Sequence, residues 1–74
     1  MKLTLKLFAT FREGRFKIEE RQYPEGVNVR DIIEELGIDA CECGILMVNG
    51  RHAALEQELC EGDSLSLFPK VGGG

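Results

Sequence analysis

The feature that most constrains this fold is the strict alternation of apolar and polar residues near both ends of the chain. Residues 2–7 place Leu3, Leu5 and Leu7 on one side of an extended segment, with polar residues between them. Residues 64–68 repeat the pattern with Leu65 and Leu67. Such alternation is typical of strands buried on one face only. The chain must therefore supply a second layer that covers two rows of leucines.

Only one segment has a strong helical pattern, and it begins after Asn28. Asn28 is a good N-cap, and Asp31 at the third helical position suits the positive end of a helix dipole. One apolar stripe follows at helical spacing: Val29, Ile32, Ile33 and Leu36. Gly37 suits the left-handed residue that often ends a helix. The sequence therefore predicts one amphipathic helix as the covering layer.

The remainder of the N-terminal half predicts the second arm of a hairpin. Residues 8–14 break the alternation and include a glycine, so they are interpreted as a connection. Residues 15–23 resume alternation, which predicts a strand with Phe16 and Ile18 facing inward.

The C-terminal half predicts three short elements before the last strand. Residues 45–48 are continuously apolar, as expected for a strand covered on both faces or at the centre of a sheet. Asn49-Gly50 is a strong hairpin-turn signal, with residues 51–53 as the return strand. Residues 54–59 are interpreted as one helical turn, and residues 61–63 as the turn before the last strand.

These elements predict an α+β roll, with a mixed β-sheet packed on one main α-helix. We expect the first and last strands to lie side by side at the centre of the sheet. Residues 1–71 would form the single domain and residues 72–74 a flexible glycine tail. The expected core comprises Leu3, Leu5, Leu7, Ile32, Ile33, Leu36, Val48, Leu65 and Leu67.

The printed sequence closes on Val71-Gly72-Gly73-Gly74, and this segment indicates a function. Glycines carry no side chain and have nearly free backbone dihedrals, so they form a thread that fits a narrow channel. The α-carboxylate of Gly74 at the tip of such a thread could be activated by another enzyme. The alternative interpretation is an ordinary frayed terminus.

The charge distribution bears on the kind of partner. Residues 1–30 hold seven Lys/Arg and four Asp/Glu, whereas residues 31–74 hold two and nine. The acidic C-terminal half argues against nucleic acid as a partner and favours a protein with a basic docking surface. A merely solvated acidic face is the alternative. The longest apolar run has only four residues and no signal peptide is recognisable, so we expect no membrane association and a cytoplasmic location.

Three cysteines, Cys41, Cys43 and Cys60, are expected to be free thiols. A zinc site built from these thiols and His52 is the alternative, but its C-x-C spacing is unlike paired zinc ligands. We therefore predict no metal. A free-standing catalytic site is not expected either, because His52 accompanies no nucleophile or carboxylate motif.

Four segments resemble the ubiquitin-like β-grasp sulfur carriers, namely the small subunit of molybdopterin synthase (the MoaD family) and its thiamine-pathway relative ThiS. Residues 7–13 resemble the "FAxxRE" segment of the molybdopterin carriers, and Val48-Asn49-Gly50 resembles a turn found in both groups. Residues 61–65 resemble the "dGD" turn. Residues 67–71 with the glycines resemble "FFPPVxGG". The match favours the MoaD side, although Lys70 replaces a common proline and the Val-Gly-Gly-Gly ending is frequent in ThiS.

This resemblance implies a carrier and not an enzyme. An E1-like adenylating enzyme of the MoeB/ThiF type would join the Gly74 carboxylate to AMP from ATP, and sulfur would then displace AMP to leave a thiocarboxylate. The sulfur acceptor would be the large subunit of molybdopterin synthase, or thiazole synthase on the ThiS side. No bound cofactor is implied.

The resemblance also assigns roles to the residues around the tail. Gly72 and Gly73 would give reach, while Val71, Pro69 and Phe68 would form an apolar docking surface at its root. Phe68 is ambiguous, because it would be a docking anchor if exposed and plain packing if covered. Two other classes remain: a protein modifier joined to target lysines through the same activated Gly74, and a non-covalent interaction domain.

Overall fold

The computed structural model describes residues 1–70, which form a five-stranded sheet covered by one helix. The strands are β1 (Lys2–Leu7), β2 (Ile18–Gln22), β3 (Cys43–Val48), β4 (Arg51–His52) and β5 (Ser64–Pro69), and the α-helix is α1 (Val29–Glu35). Short 3₁₀ helices span Ala9–Arg12 and Ala40–Glu42. The helices in this part of the chain are too short to traverse a lipid bilayer. The predictions for residues 71–74 lie outside the described residues.

The two alternating segments pair at the centre of the sheet, as the sequence predicts. The strand order is β2-β1-β5-β3-β4. β1 and β5 are parallel, with Leu5 opposite Leu65, whereas the other neighbours are antiparallel. The predicted α+β roll with a mixed sheet is confirmed.

The core lies between the sheet and α1. The leucines of β1 and β5 are fully buried together with Val29, Ile32 and Ile33 of the helix. Every expected core residue is buried except Leu36, which is partly buried at the margin. Besides Val29, which belongs to the predicted helix stripe, five buried residues were not in the expected set: Phe11, Tyr23, Val27, Ile38 and Leu59. They lie at turns and element ends, where periodicity gives no signal.

Helix α1 begins and ends where the sequence predicts. The Asn28 side chain accepts a hydrogen bond from the Asp31 amide (2.9 Å), and the Asp31 side chain accepts one from the Asn28 amide (3.1 Å). This reciprocal pair satisfies two amides that a helix start leaves free. Gly37 has the left-handed conformation (φ 75°) and follows the last turn.

The predicted helical turn over residues 54–59 is present only as a hydrogen-bonded turn, in which the Gln57 amide donates to the Ala54 carbonyl oxygen (3.2 Å), and no helix forms. The carbonyl oxygens of Leu55 and Gln57 instead accept hydrogen bonds from the amides of Arg30 (2.9 Å) and Val29 (3.1 Å). The segment thus runs beside the start of α1 and pairs with unsatisfied helix amides. Those tertiary hydrogen bonds outweigh the weak local helical preference.

The predicted inward orientation of Ile18 was also wrong. β2 begins at Ile18, whose register places it opposite Lys6, on the face of the sheet away from α1. Ile18 is 65% exposed, while Phe16 precedes the strand and packs partly against the core. β3 is not covered on both faces either, because Ile45 is 42% exposed. β3 lies inside the sheet, between β5 and β4, which agrees with the alternative expectation of a strand away from the sheet edge.

Candidate functional site

The end of β5 brings together several features that the sequence places far apart. Alternation puts Leu67 in the core and turns Phe68 to the opposite side of the sheet, which we call the open face. Pro69 is the last strand residue, pairs with Cys43 of β3 and is half-buried. The amide of Lys70 donates a hydrogen bond to the carbonyl oxygen of Glu42 at 2.9 Å.

Phe68 stacks on Phe8, which follows the end of the neighbouring strand β1. The two ring centroids are 4.2 Å apart and the ring planes differ by 10°. The guanidinium carbon of Arg12 lies 5.3 Å from the Phe8 ring centroid, and Arg12 Nε donates a hydrogen bond to the Leu7 carbonyl oxygen at 2.7 Å. Both rings remain partly exposed. Phe68 is thus packed against a neighbour and still available at the surface.

Two apolar side chains of β3 extend this aromatic pair across the sheet. Ile45 lies opposite Phe68, and Met47 lies opposite Ser66, so both occupy the open face. Directly opposed residues on adjacent strands have Cβ atoms about 5 Å apart, close enough for side-chain contact. Ile45 is exposed and Met47 is partly exposed. We call these four residues, Phe8, Ile45, Met47 and Phe68, the open-face patch.

The charges of the strands that carry this patch are positive. β1, β3 and β5 contain no Asp or Glu, while β1 contributes Lys6, which lies opposite Ser66. Arg12 lies over Phe8, and Lys70 follows Phe68 by two residues. These cations differ in sign from the acidic C-terminal half on which the expectation of a basic partner was based, and they would complement an acidic surface.

The cysteines lie at two different ends of the sheet. Cys41 is exposed and lines a cleft with Pro69 and Lys70, whereas Cys60 and His52 line a separate hollow. Burial, with added repulsion from Glu42 and Asp39, raises the pKa of the Cys43 thiol. Among residues 1–70, no group of three or more His, Cys, Asp or Glu side chains is placed to hold a metal ion.

The structure places only part of the predicted site. Phe68 and Pro69 lie together at the end of β5, while Val71, Gly72, Gly73 and Gly74 lie outside the described residues. Sequence analysis missed Phe8, Ile45 and Met47 as members of the surface. Phe8 lies two residues after Lys6, and residues two apart along a strand face the same side of a sheet. This spacing could have assigned Phe8 to the open face.

Comparison with known proteins agrees with this architecture. The model of the ThiS family matches residues 5–74. A putative molybdopterin converting factor, subunit 1, from Pyrococcus furiosus is 34% identical with a TM-score of 0.77, and the alignment covers 96% of this chain and 99% of that chain. SAMP1 from Haloferax volcanii is 27% identical over 100% of both chains, with a TM-score of 0.77. A separate structure of H. volcanii small archaeal modifier protein 1 is 25% identical with a TM-score of 0.76, over 95% of this chain and 98% of that chain.

A third similar structure is a complex of subunits 1 and 2 of molybdopterin-converting factor from Helicobacter pylori. The matching chain is 24% identical over 100% of both chains, with a TM-score of 0.67, a level that supports the fold alone. The family model, by contrast, spans nearly the whole sequence and includes the glycine segment. The chain therefore belongs to the ThiS family and has the ubiquitin-like β-grasp fold of the sulfur carriers that its motifs resemble.

Proposed function

We propose that this protein carries sulfur on the carboxylate of Gly74 for the biosynthesis of molybdopterin, the organic part of the molybdenum or tungsten cofactor. The observation that carries the proposal is the position of the open-face patch. It lies at the end of the sheet where β5 ends at Pro69, five residues before Gly74. The short segment 69–73 thus connects the open-face patch, as a docking surface, to the carboxylate of Gly74, as the reactive group.

The chemistry requires two displacement steps on a partner enzyme. A carboxylate oxygen of Gly74 attacks the α-phosphorus of ATP, and pyrophosphate leaves to give an acyl-adenylate. A hydrosulfide ion (HS⁻) then attacks the acyl carbon, AMP leaves, and loss of the S–H proton gives a thiocarboxylate. The thiocarboxylate sulfur is a better nucleophile than the oxygen it replaces, so it can be delivered to an acceptor. This protein would be a co-substrate in both steps, with ATP bound by the partner.

The open-face patch would provide the contact with each partner in turn. Its apolar centre, formed by Phe8, Phe68 and Ile45, can be covered by an apolar surface, and Lys6 and Arg12 at its margin can meet carboxylates. We propose an E1-like adenylating enzyme of the MoeB/ThiF type as the first partner. The second would be the large subunit of molybdopterin synthase, and both encounters would take place in the cytoplasm.

Two related functions use the same activated carboxylate. The ThiS family model supports sulfur delivery to thiazole synthase in thiamine biosynthesis. The likeness to small archaeal modifier protein 1 supports attachment of Gly74 to a lysine of a target protein. The 34% sequence identity to a putative molybdopterin converting factor subunit favours sulfur delivery for molybdopterin over these two functions.

Intact-mass analysis of protein purified from cells with the native pathway tests the proposal. We expect a species in which one oxygen is replaced by sulfur, with the change confined to the C-terminal peptide. A variant with one additional bulky residue after Gly74 is the control, since it displaces the carboxylate without altering the sheet. Conjugates on target lysines would instead establish the modifier function, and an unmodified mass in every preparation would contradict both.

Adenylation can be measured separately by ATP–pyrophosphate exchange with the cognate activating enzyme. Deletion of Gly73 and Gly74 should abolish exchange, because the carboxylate no longer reaches ATP. The thermal melt should be nearly unchanged, since glycines have no side chain to bury and every core residue named above is retained. Full exchange by the deletion variant would exclude Gly74 as the activated residue.

A further inference from the structure

The start of β3, which pairs with the end of β5, contains a β-bulge at one residue. Cys43 pairs with Pro69 and Ile45 with Phe68, so the register shifts across Gly44. Beyond this bulge, the amide of Lys70 donates its hydrogen bond to Glu42, which lies just before β3. Lys70 is therefore attached to the sheet even though β5 has already ended at Pro69.

Gly44 has no room for a side chain at this position. A Cβ atom there would lie 2.9 Å from Lys70 Cα and 2.9 Å from the Pro69 carbonyl oxygen. Real Cβ atoms essentially never approach other heavy atoms closer than 3.0 Å, and both contacts are backbone atoms that cannot rotate away. Addition of one methyl group would thus force one of the two backbones to move.

The other glycines of residues 1–70 are required for a different reason. Gly14, Gly26, Gly37, Gly50 and Gly62 all have positive φ, and a Cβ at any of them would meet nothing within 4 Å. They satisfy the conformation of turns. Gly44, by contrast, is the one glycine in this part of the chain that is required for a close backbone approach, and the segment it approaches leads to the proposed reactive group.

We propose that Gly44 is a positioning residue for adenylation, an inference that rests on the proposed function. By letting Lys70 lie against β3, it fixes the point from which the last four residues continue to the carboxylate. The activated oxygen must lie about 3–3.5 Å from phosphorus, in line with the bond that breaks. Misplacement by about 1 Å can lower the rate about 100-fold.

The test compares Gly44→Ala with Gly50→Ala in ATP–pyrophosphate exchange. Gly50 lies in the turn after β3, at the opposite end of the sheet from Lys70, and its positive φ (81°) makes alanine unfavourable there. Its variant therefore controls both for one added methyl group and for a general loss of stability. We expect Gly44→Ala to lower kcat about tenfold or more while KM for this protein stays within about twofold, because the open-face patch still docks. Gly50→Ala should retain the wild-type kcat.

Amide hydrogen exchange of the wild-type protein tests the contact itself and does not depend on any variant folding. The Lys70 amide should exchange slowly, like the amides inside β5, and in Gly44→Ala it should exchange faster while the amides of β1 stay protected. Rapid exchange of the wild-type Lys70 amide would overturn the proposal.

The kinetic outcomes separate this inference from the proposed function. Equal kcat values for wild type and Gly44→Ala would overturn the role of Gly44 alone. A rise in KM at unchanged kcat would also overturn it, because it would show a docking role. If the wild-type protein itself supported no ATP–pyrophosphate exchange, the proposed function would be overturned, and the role of Gly44 with it.

Discussion

The two faces of the sheet are made from the same strands but follow different rules. Facing α1, β1 and β5 bury a leucine at every second position. On the open face the same strands carry the polar residues Thr4, Lys6, Ser64 and Ser66. The open-face patch lies beyond them, at the end of the sheet where β5 ends. Apolar side chains that are gathered in one place at the surface are typical of a surface that binds a partner. The comparison teaches that the covered face specifies the fold, while the open face is free to specify a partner.

The largest effect should come from the covered face. Leu5→Ala should lower the free energy of unfolding by about 2–5 kcal/mol, because it removes a fully buried side chain and leaves a cavity. Its sequence neighbour Thr4 points to the open face, so Thr4→Ala should change that free energy by only about 0.5 kcal/mol. Urea unfolding of both variants measures the difference. Equal destabilisation would break the distinction between the faces.

A smaller effect, on binding and not on folding, is expected from the open face. Ile45→Asp places a carboxylate in the open-face patch and should weaken binding to the activating enzyme at least about tenfold. Ile18→Asp is the matched control, because Ile18 is also exposed on this face but lies on β2, two strands away from Phe68. Isothermal titration of both variants measures the effect. If Ile18→Asp weakened binding equally, docking would extend over the whole face.

The smallest effect concerns the hydroxyl of Tyr23, which lies at the margin of the covered face. Tyr23 is buried, and its hydroxyl donates a hydrogen bond to Glu35 Oε1 on α1 at 2.6 Å. Burial, with added repulsion from the Glu35 carboxylate, raises the pKa of Tyr23 to about 12. Tyr23→Phe should therefore lower the free energy of unfolding at neutral pH by about 1 kcal/mol, through loss of the hydrogen bond.

The pH dependence of this contribution has a definite sign. Since the pKa is higher in the folded protein than the ordinary value of 10.0, the stabilisation is complete below pH 10 and is lost as pH rises toward about 12. Tyr23→Phe should lack that loss. Tyr23 is the only tyrosine and the chain has no tryptophan, so ultraviolet titration of the phenolate reports this group alone. A midpoint near 10 would contradict the coupling of Tyr23 to Glu35.

The covered face could be predicted from the sequence because burial and alternation are directly linked. Leu3, Leu5, Leu7 and the residues of α1 are apolar for the same reason that they are buried. β2 shows the limit of this argument. Phe16 and Ile18 suggested an inward row, but pairing with β1 turns Glu19 and Arg21 inward, and these two form an ion pair at the sheet edge.

The candidate site could be predicted only in part, since its members come from separate segments. The motif at residues 67–71 pointed to the right end of the chain, but the stacking of Phe68 on Phe8 depends on β1 and β5 being neighbours. The need for glycine at position 44 was likewise invisible, because it arises from contact with residues about 25 positions later. Both are tertiary facts without a local signal.

The central pairing of β1 with β5 has a consequence for biosynthesis. Thr4 lies opposite Ser64, so the middle of the sheet cannot form until nearly all of the chain has left the ribosome. Such distant pairings make folding slow and leave the early strands unpaired in the nascent chain. A polypeptide released before residue 64 would lack both the central strand and the glycine segment. Chains terminated before residue 64 would therefore remain unfolded and open to proteolysis. They would not accumulate as folded competitors that lack the carboxylate and occupy the proposed activating enzyme.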